Sequence, residues 1–174
     1  MPEQAWQKTV FDVLKQADVK QIAYVPDAGH AYLIKAATSD PDIRDIVLTT
    51  EEEGVGIALG AWLGGQRAAV FMQSSGVGNC INMFSLLENC RCPFLTVVTM
   101  RGEWAELNPW QSPMGRRTQG MLELMGMRVY RADRESDVED VISAAIDSAY
   151  GAGEQVAVIL GQRLIGRKDW GRAK

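Results

Sequence analysis

The sequence holds one histidine, His30, in 174 residues. A serine–histidine–aspartate triad would have to use it, and no G-x-S-x-G elbow offers the serine. Cysteine is nearly as sparse. Cys80, Cys90 and Cys92 are too few and too clustered for a disulfide framework. Cys90-Arg91-Cys92 lacks the two-residue spacer of a redox pair, and no second pair completes a zinc site. Three reduced thiols in a cytoplasmic protein are the expectation. No uncharged apolar run approaches the roughly 18 residues that span a bilayer. Residues 1–20 read as a polar amphipathic helix with Asp12, Lys15 and Asp18, not as a signal peptide. Excess positive charge is also missing: the net charge of −4 gives no reason to expect nucleic acid. The local exception is the tail at 163–174, with Arg163, Arg167, Lys168, Arg172 and Lys174, which reads as a solvated terminus or partner contact.

What is present is a strongly apolar chain, 47% hydrophobic, of a length that suits one domain over residues 1–174. Strands and helices alternate. Helical spacing or small-residue runs mark 3–17, 29–37, 51–63, 79–88, 116–126 and 136–150. The last carries a capping box, Ser136 with Glu139, and Gly64-Gly65 closes the helix at 51–63. Strands are expected at 21–25, 43–48, 68–72, 94–100, 127–131 and 156–160; 68–72 and 94–100 lack the alternation of a half-exposed strand. The pattern predicts an α/β fold: a doubly wound, mainly parallel six-stranded sheet with helices on both faces. Ligands of such sheets bind beyond the carboxyl ends of the strands. That rule selects four loops, 26–30, 49–53, 73–79 and 101–117.

Each loop carries candidate chemistry. Glu51-Glu52-Glu53 opens a helix, where acids complement the helix dipole, and one of them pointing into the cleft could polarise a heterocycle. Gln73-Ser74-Ser75-Gly76-Val77-Gly78-Asn79 reads as a tight strand-to-helix turn. Ile81 stands where a dinucleotide fingerprint needs glycine or alanine, and no Walker pattern occurs. The loop at 101–117 is long for this sheet class. Its Trp104 and Trp110, with Arg101, Arg116 and Arg117, read as an interface, an anion pocket or a solvated loop. His30 reads as a cap or packing residue, with a functional role open. The three methionines in 121–127 read as core filling.

In order along the chain these segments resemble the thiamine diphosphate-dependent decarboxylases of 3-sulfopyruvate and phosphonopyruvate, in their alpha-subunit form. Residues 22–131 carry the likeness: Val25-Pro26-Asp27, then Thr50-Glu51 with Gly60 nine residues on, then Ser75-Gly76-Val77-Gly78-Asn79 with Asn82. Arg101-Gly102-Glu103-Trp104 and Gln111-x-x-Met114-Gly115-Arg116-x-Thr118 follow. The resemblance implies a thiamine diphosphate-binding fold and a pyrimidine-binding domain. Glu51 would be the activating carboxylate on the cofactor's pyrimidine ring, with Glu52 in reserve for a one-residue slip and Glu53 left to the dipole or an interface. Pro26, Ser75 and Asn79 would line the pyrimidine end beside Glu51. Asp27, His30, Gln73 and Arg101, or Arg116 in its place, would approach an anionic 2-oxo acid.

Two departures shape the expectation. The paired histidines of pyruvate-type decarboxylases are missing, which argues against plain pyruvate. The Gly-Asp-Gly diphosphate motif is absent too, and the GAGE segment at 151–154 does not replace it. The diphosphate-binding domain and the Mg2+ ligands are therefore expected on a separate beta subunit, in a hetero-oligomer. The implied reaction is non-oxidative decarboxylation of 3-sulfopyruvate to sulfoacetaldehyde and carbon dioxide. Alternatives are phosphonopyruvate or another 2-oxo acid, a carboligase subunit, a non-catalytic binding subunit, or a flavodoxin-like nucleotide domain.

Overall fold

The computed structural model describes residues 5–166. The first two residues of the expected helix at 3–17, and Arg167, Lys168, Arg172 and Lys174 of the basic tail, lie outside the described residues.

Six parallel strands form one sheet in the order β2-β1-β3-β4-β6-β5. The elements are α1 (Ala5–Gln16), β1 (Val19–Tyr24), α2 (Ala31–Ser39), β2 (Arg44–Val47), α3 (Glu51–Leu63), β3 (Arg67–Gln73), α4 (Ser74–Cys80) and α5 (Ser85–Cys90). Then come β4 (Phe94–Thr99), α6 (Ser112–Gly115), α7 (Thr118–Leu124), β5 (Arg128–Ala132), α8 (Val138–Ile146), β6 (Gln155–Leu160) and α9 (Gln162–Ile165). Every neighbouring pair of strands is parallel, so the expectation of a mainly parallel sheet is met throughout.

The central strands need apolar side chains on both faces because each face carries its own core. Ala69 and Phe71 of β3, Leu95 and Val97 of β4, and Val156, Val158 and Leu160 of β6 join one core, with Trp6, Val10 and Leu14 of α1 and Ile142 of α8. Their neighbours Val70, Met72, Phe94, Val98, Ala157 and Ile159 enter the other, with Val55 and Ala58 of α3, Val77 of α4 and Leu122 of α7. That is why β3, β4 and β6 read as unbroken apolar runs, whereas β2 and β5 at the two edges are only partly buried.

Three local expectations are corrected. Gly76 and Gly78 do not make a turn: α4 begins at Ser74, directly after β3, and both glycines sit inside it. The helix expected at 79–88 is two helices, because the chain tightens between them. Phe84 N still bonds Cys80 O, but Ser85, Leu86 and Leu87 bond three residues back. That tightening buries Phe84 and Leu87 together. The capping box at Ser136 is not formed. Its hydroxyl bonds Asp137, a 3-10 turn covers Glu135–Asp137, and α8 starts at Val138 with no side-chain cap.

Candidate active site

The sheet order reverses at β1: the chain leaves β1 for β2 on one side and returns to place β3 on the other. The crevice of such a sheet lies at that point, beyond the carboxyl ends. Asp27 stands there. Its Oδ1 accepts from Gln73 Nε2 at 2.8 Å, and its Oδ2 accepts from Thr99 Oγ1 at 2.8 Å and from the Gly29 amide at 2.9 Å. Ser75 Oγ extends the chain by donating to Gln73 Oε1 at 3.0 Å. One carboxylate thus ties the ends of β1, β3 and β4 together. Burial works against its charge, while His30 and the donors on Thr99, Gln73 and Gly29 favour it, and the balance holds Asp27 below the ordinary carboxylate range.

His30 is placed behind this carboxylate. Its ring is 0% exposed and stacks on Phe71 at a centroid distance of 5.0 Å, and Nδ1 lies 3.8 Å from Asp27 Oδ2. Burial pushes the imidazole down to about 4, against the pull of Asp27 and the Val97 backbone, so it is neutral at pH 7. The expectation that His30 approaches substrate is corrected to this extent: it meets the crevice only through Asp27.

The acidic triplet is sorted by its partners. Glu53 reaches back to accept from the Thr49 amide at 2.8 Å, and Glu52 accepts from the Thr50 hydroxyl at 2.5 Å. Both therefore serve the start of α3. Glu51 instead accepts from Asn79 Nδ2 of α4 at 2.8 Å. Its carboxyl lies against the backbone of α4 at Gly76, where an added Cβ would sit 2.4 Å from both the carboxyl carbon and Oε1. Gly76 is a seat for Glu51. The reading of these glycines as turn residues missed this, because a contact between α3 and α4 leaves no periodic trace in sequence. Cys80 lies on the same helix; burial, with Glu51 and Glu52 nearby, pushes its thiol up to about 12, so it is no nucleophile.

Pro26 is exposed, and Ser75 is partly buried. The structure thus gathers Asp27, Gln73 and Ser75 into one network, and Glu51 and Asn79 into a second. Arg101 stands apart. It is 8% exposed and grips Glu106 with two bonds of 2.6 and 2.7 Å. Its guanidinium is committed there and is not presented for a substrate anion. Arg116 is exposed. Sequence reasoning missed Thr99, Glu106 and Gln162. Thr99 could have been flagged as the last residue of a strand ending at the crevice. Glu106 and Gln162 bond each other across 56 residues, a pairing without a local signal.

Comparison with known proteins gives the family and the fold. No family model matches the chain. It is 33% identical over 151 residues to the sulfopyruvate decarboxylase subunit alpha of Methanocaldococcus jannaschii, covering 86% of this chain and 89% of that one. The chain belongs to the sulfopyruvate decarboxylase alpha-subunit family. It is also 39% identical over 111 residues to the phosphonopyruvate decarboxylase of Streptomyces viridochromogenes, covering 63% of this chain but 28% of that one. In structure it superposes on a 2-oxoglutarate:ferredoxin oxidoreductase of Magnetococcus marinus with a TM-score of 0.74. The identity there is 15%, and 97% of this chain covers 34% of that one, so the likeness is one of fold.

Proposed function

We propose that this chain is the pyrimidine-binding subunit of a thiamine diphosphate-dependent decarboxylase that converts 3-sulfopyruvate to sulfoacetaldehyde and carbon dioxide. The observation that carries the reading is its match, over nearly the whole length of both, to a protein named for that activity. The word "subunit" in that name supports a partner chain. On this proposal the partner is a beta subunit with the diphosphate-binding domain and the Mg2+ ligands, and the assembly is a cytoplasmic hetero-oligomer. Among the described residues no helix is long and apolar enough to cross a membrane.

The residues fit the cofactor's pyrimidine end. Glu51 rests in a cradle that any side chain on Gly76 would fill, with one oxygen fixed by Asn79. A carboxylate so held can accept a hydrogen bond from a protonated ring nitrogen and stabilise charge there. Pro26, Ser75 and Asn79 would line the same end. The cofactor supplies the electron sink that lets a 2-oxo acid lose carbon dioxide.

Asp27 and Gln73 would face the substrate. Their mutual bond fixes the carboxylate's orientation, and the lowered pKa of Asp27 keeps it an ionised acceptor at neutral pH. His30 would hold its position from behind. Arg116 stays open as a contact for the substrate sulfonate, since Arg101 is engaged by Glu106.

A second substrate, phosphonopyruvate, is favoured by the 39% identity to the Streptomyces decarboxylase. Carbon dioxide release by the purified complex, measured with both acids, tests the proposal. It predicts thiamine diphosphate-dependent turnover with sulfopyruvate as the better substrate. A complex that turns over neither would contradict it.

A further inference from the structure

The sheet has a second parting of the chain, away from β1. After β1 the chain enters α2 on one face, and after β3 it enters α4 on the other: Leu33 joins the first core and Val77 the second. The neighbours β4 and β6 repeat that arrangement. The chain after β4 runs to α7, with Leu122 in the second core, and after β6 to α9, with Leu164 in the first. Adjacent parallel strands whose continuations part to opposite faces leave a crevice beyond their carboxyl ends. A cavity of about 410 Å³ lies there, walled by Glu103, Trp104, Arg131, Asp133, Arg134 and Arg163.

The acids of this wall are already engaged. Arg131 donates from Nη2 to Glu103 Oε1 at 2.7 Å, and from Nε and Nη2 to the two oxygens of Asp133 at 2.9 and 2.7 Å. The Gln162 amide adds a bond of 2.8 Å to Glu103. The pairing needs glycine at 161, since a Cβ there would meet Asp133 Oδ1 at 1.9 Å. Arg131 thus ties together the chain after β4, β5 and β6, as Asp27 does for β1, β3 and β4 at the first crevice. Arg134 and Arg163 are left over. Both are exposed, and among the described residues neither makes an ion pair. The Arg163 guanidinium lies over the indole of Trp104, 5.9 Å from the ring centroid. Such a stack fixes the guanidinium while leaving the N–H groups at its edge free. The bond from Arg131 chiefly, with Arg163 and Arg134 close enough to add their attraction, overcomes burial and holds Asp133 below the ordinary carboxylate range.

The cavity therefore offers uncommitted donors and an excess of positive charge, three guanidiniums against two carboxylates. Guanidinium forks match the oxygens of an oxyanion. We propose that this cavity is a second ligand site, taking a small oxyanion of the phosphate or sulfonate type between Arg134 and Arg163. An adjoining cavity of about 330 Å³ shares Asp133, Arg134 and Arg163 but adds the acid Glu135, which makes it the poorer seat for negative charge. None of the residues around the first cavity belongs to the Asp27 or Glu51 networks, and the site does not depend on the decarboxylase reading.

The test is calorimetric titration of the full-length protein with inorganic phosphate and, separately, with methanesulfonate, in chloride buffer at constant ionic strength. Three forms are compared: wild type, Arg134→Gln/Arg163→Gln, and Arg44→Gln. Arg44 is an exposed arginine on β2, the strand at the opposite edge of the sheet. Wild type and Arg44→Gln should bind one anion per chain, and the double variant should bind at least about tenfold more weakly, since each lost bond is a charged one. Tighter binding of phosphate assigns the site to phosphate and its esters, and tighter binding of methanesulfonate assigns it to sulfonates; both support the proposal. Should the double variant lose its fold by circular dichroism, Arg163→Lys decides. It keeps the charge but loses the fork and the stack on Trp104, and it must weaken binding. No saturable binding of either anion to wild type overturns the proposal. So does unchanged affinity in the arginine variants, or an equal loss in Arg44→Gln, which would mark a diffuse charge effect. Turnover enters none of these readouts, so failure here leaves the decarboxylase reading intact.

Discussion

Glu51 and Gly76 occupy one space: the carboxyl carbon of the first lies 2.4 Å from where a side chain on the second would begin. Gly76→Ala should therefore displace Glu51 while costing the helix nothing, since alanine is the better helix former by about 0.5–1 kcal/mol. A misplacement near 1 Å typically costs on the order of 100-fold in rate. Turnover of the assembled complex should fall by about that factor with the thermal midpoint close to wild type. Unchanged turnover would mean that the seat is unimportant.

Gly60, exposed on α3, gives the opposite expectation. A Cβ there meets nothing within 4 Å. Gly60→Ala should stabilise the protein by roughly 0.5–1 kcal/mol and raise the thermal midpoint by about 1–4 °C. Calorimetry on both variants separates helix propensity from the demand of the site.

Glu106 holds the loop through Arg101, and burying Arg101 without a partner is costly. Glu106→Gln should destabilise by on the order of 3 kcal/mol, read from the urea midpoint. The Arg101 bond outweighs burial and, with the Asn108 amide and Gln162, holds Glu106 at about 2 against an ordinary 4.5. A depressed folded-state value contributes stability above the unfolded one and loses it as acid is added. The wild type should thus lose this contribution as pH falls from about 4.5 toward 2. Glu106→Gln should lack that component.

His30 acts in a higher window. Its folded value of about 4 lies below the ordinary 6.5, so the unfolded chain takes up the proton first. Stability should fall as pH drops from 6.5 to 4, by as much as about 3 kcal/mol. His30→Phe keeps the stacking position over Phe71 and removes the proton. Its stability should be flatter across that window in urea titrations at several pH values. Parallel curves for the two proteins would show that His30 does not titrate as described.

The layered fold was legible because its signals are local. The helix Glu51–Leu63 ends where its sequence says at both ends: acids open it, and Gly65 at φ +78° closes it with the Gln66 amide bonded to Ala61 O. The apolar runs of β3 and β4 announced strands buried on both faces. The candidate site was legible as strand ends and the loops after them, since every candidate residue lies at or beyond a strand's carboxyl end. Its wiring was not. Gly76 looked like a turn until α3 came to lie against it, and Arg101 looked available until Glu106 was found beside it. Asp27 gains Thr99 as a donor from 72 residues away. Such pairings depend on packing that no periodicity encodes.

The central claim is that Glu51, and not its neighbours, activates the cofactor. It is tested most directly by turnover of the reconstituted complex carrying Glu51→Gln or Glu52→Gln, with cofactor content and complex mass checked in each. The account predicts assembled complexes in both cases. Glu51→Gln should be slower by a factor of about 100 or more, and Glu52→Gln should stay within a few-fold of wild type, because Glu52 serves Thr50 at the helix start. Wild-type turnover from Glu51→Gln, or a collapse confined to Glu52→Gln, would contradict it.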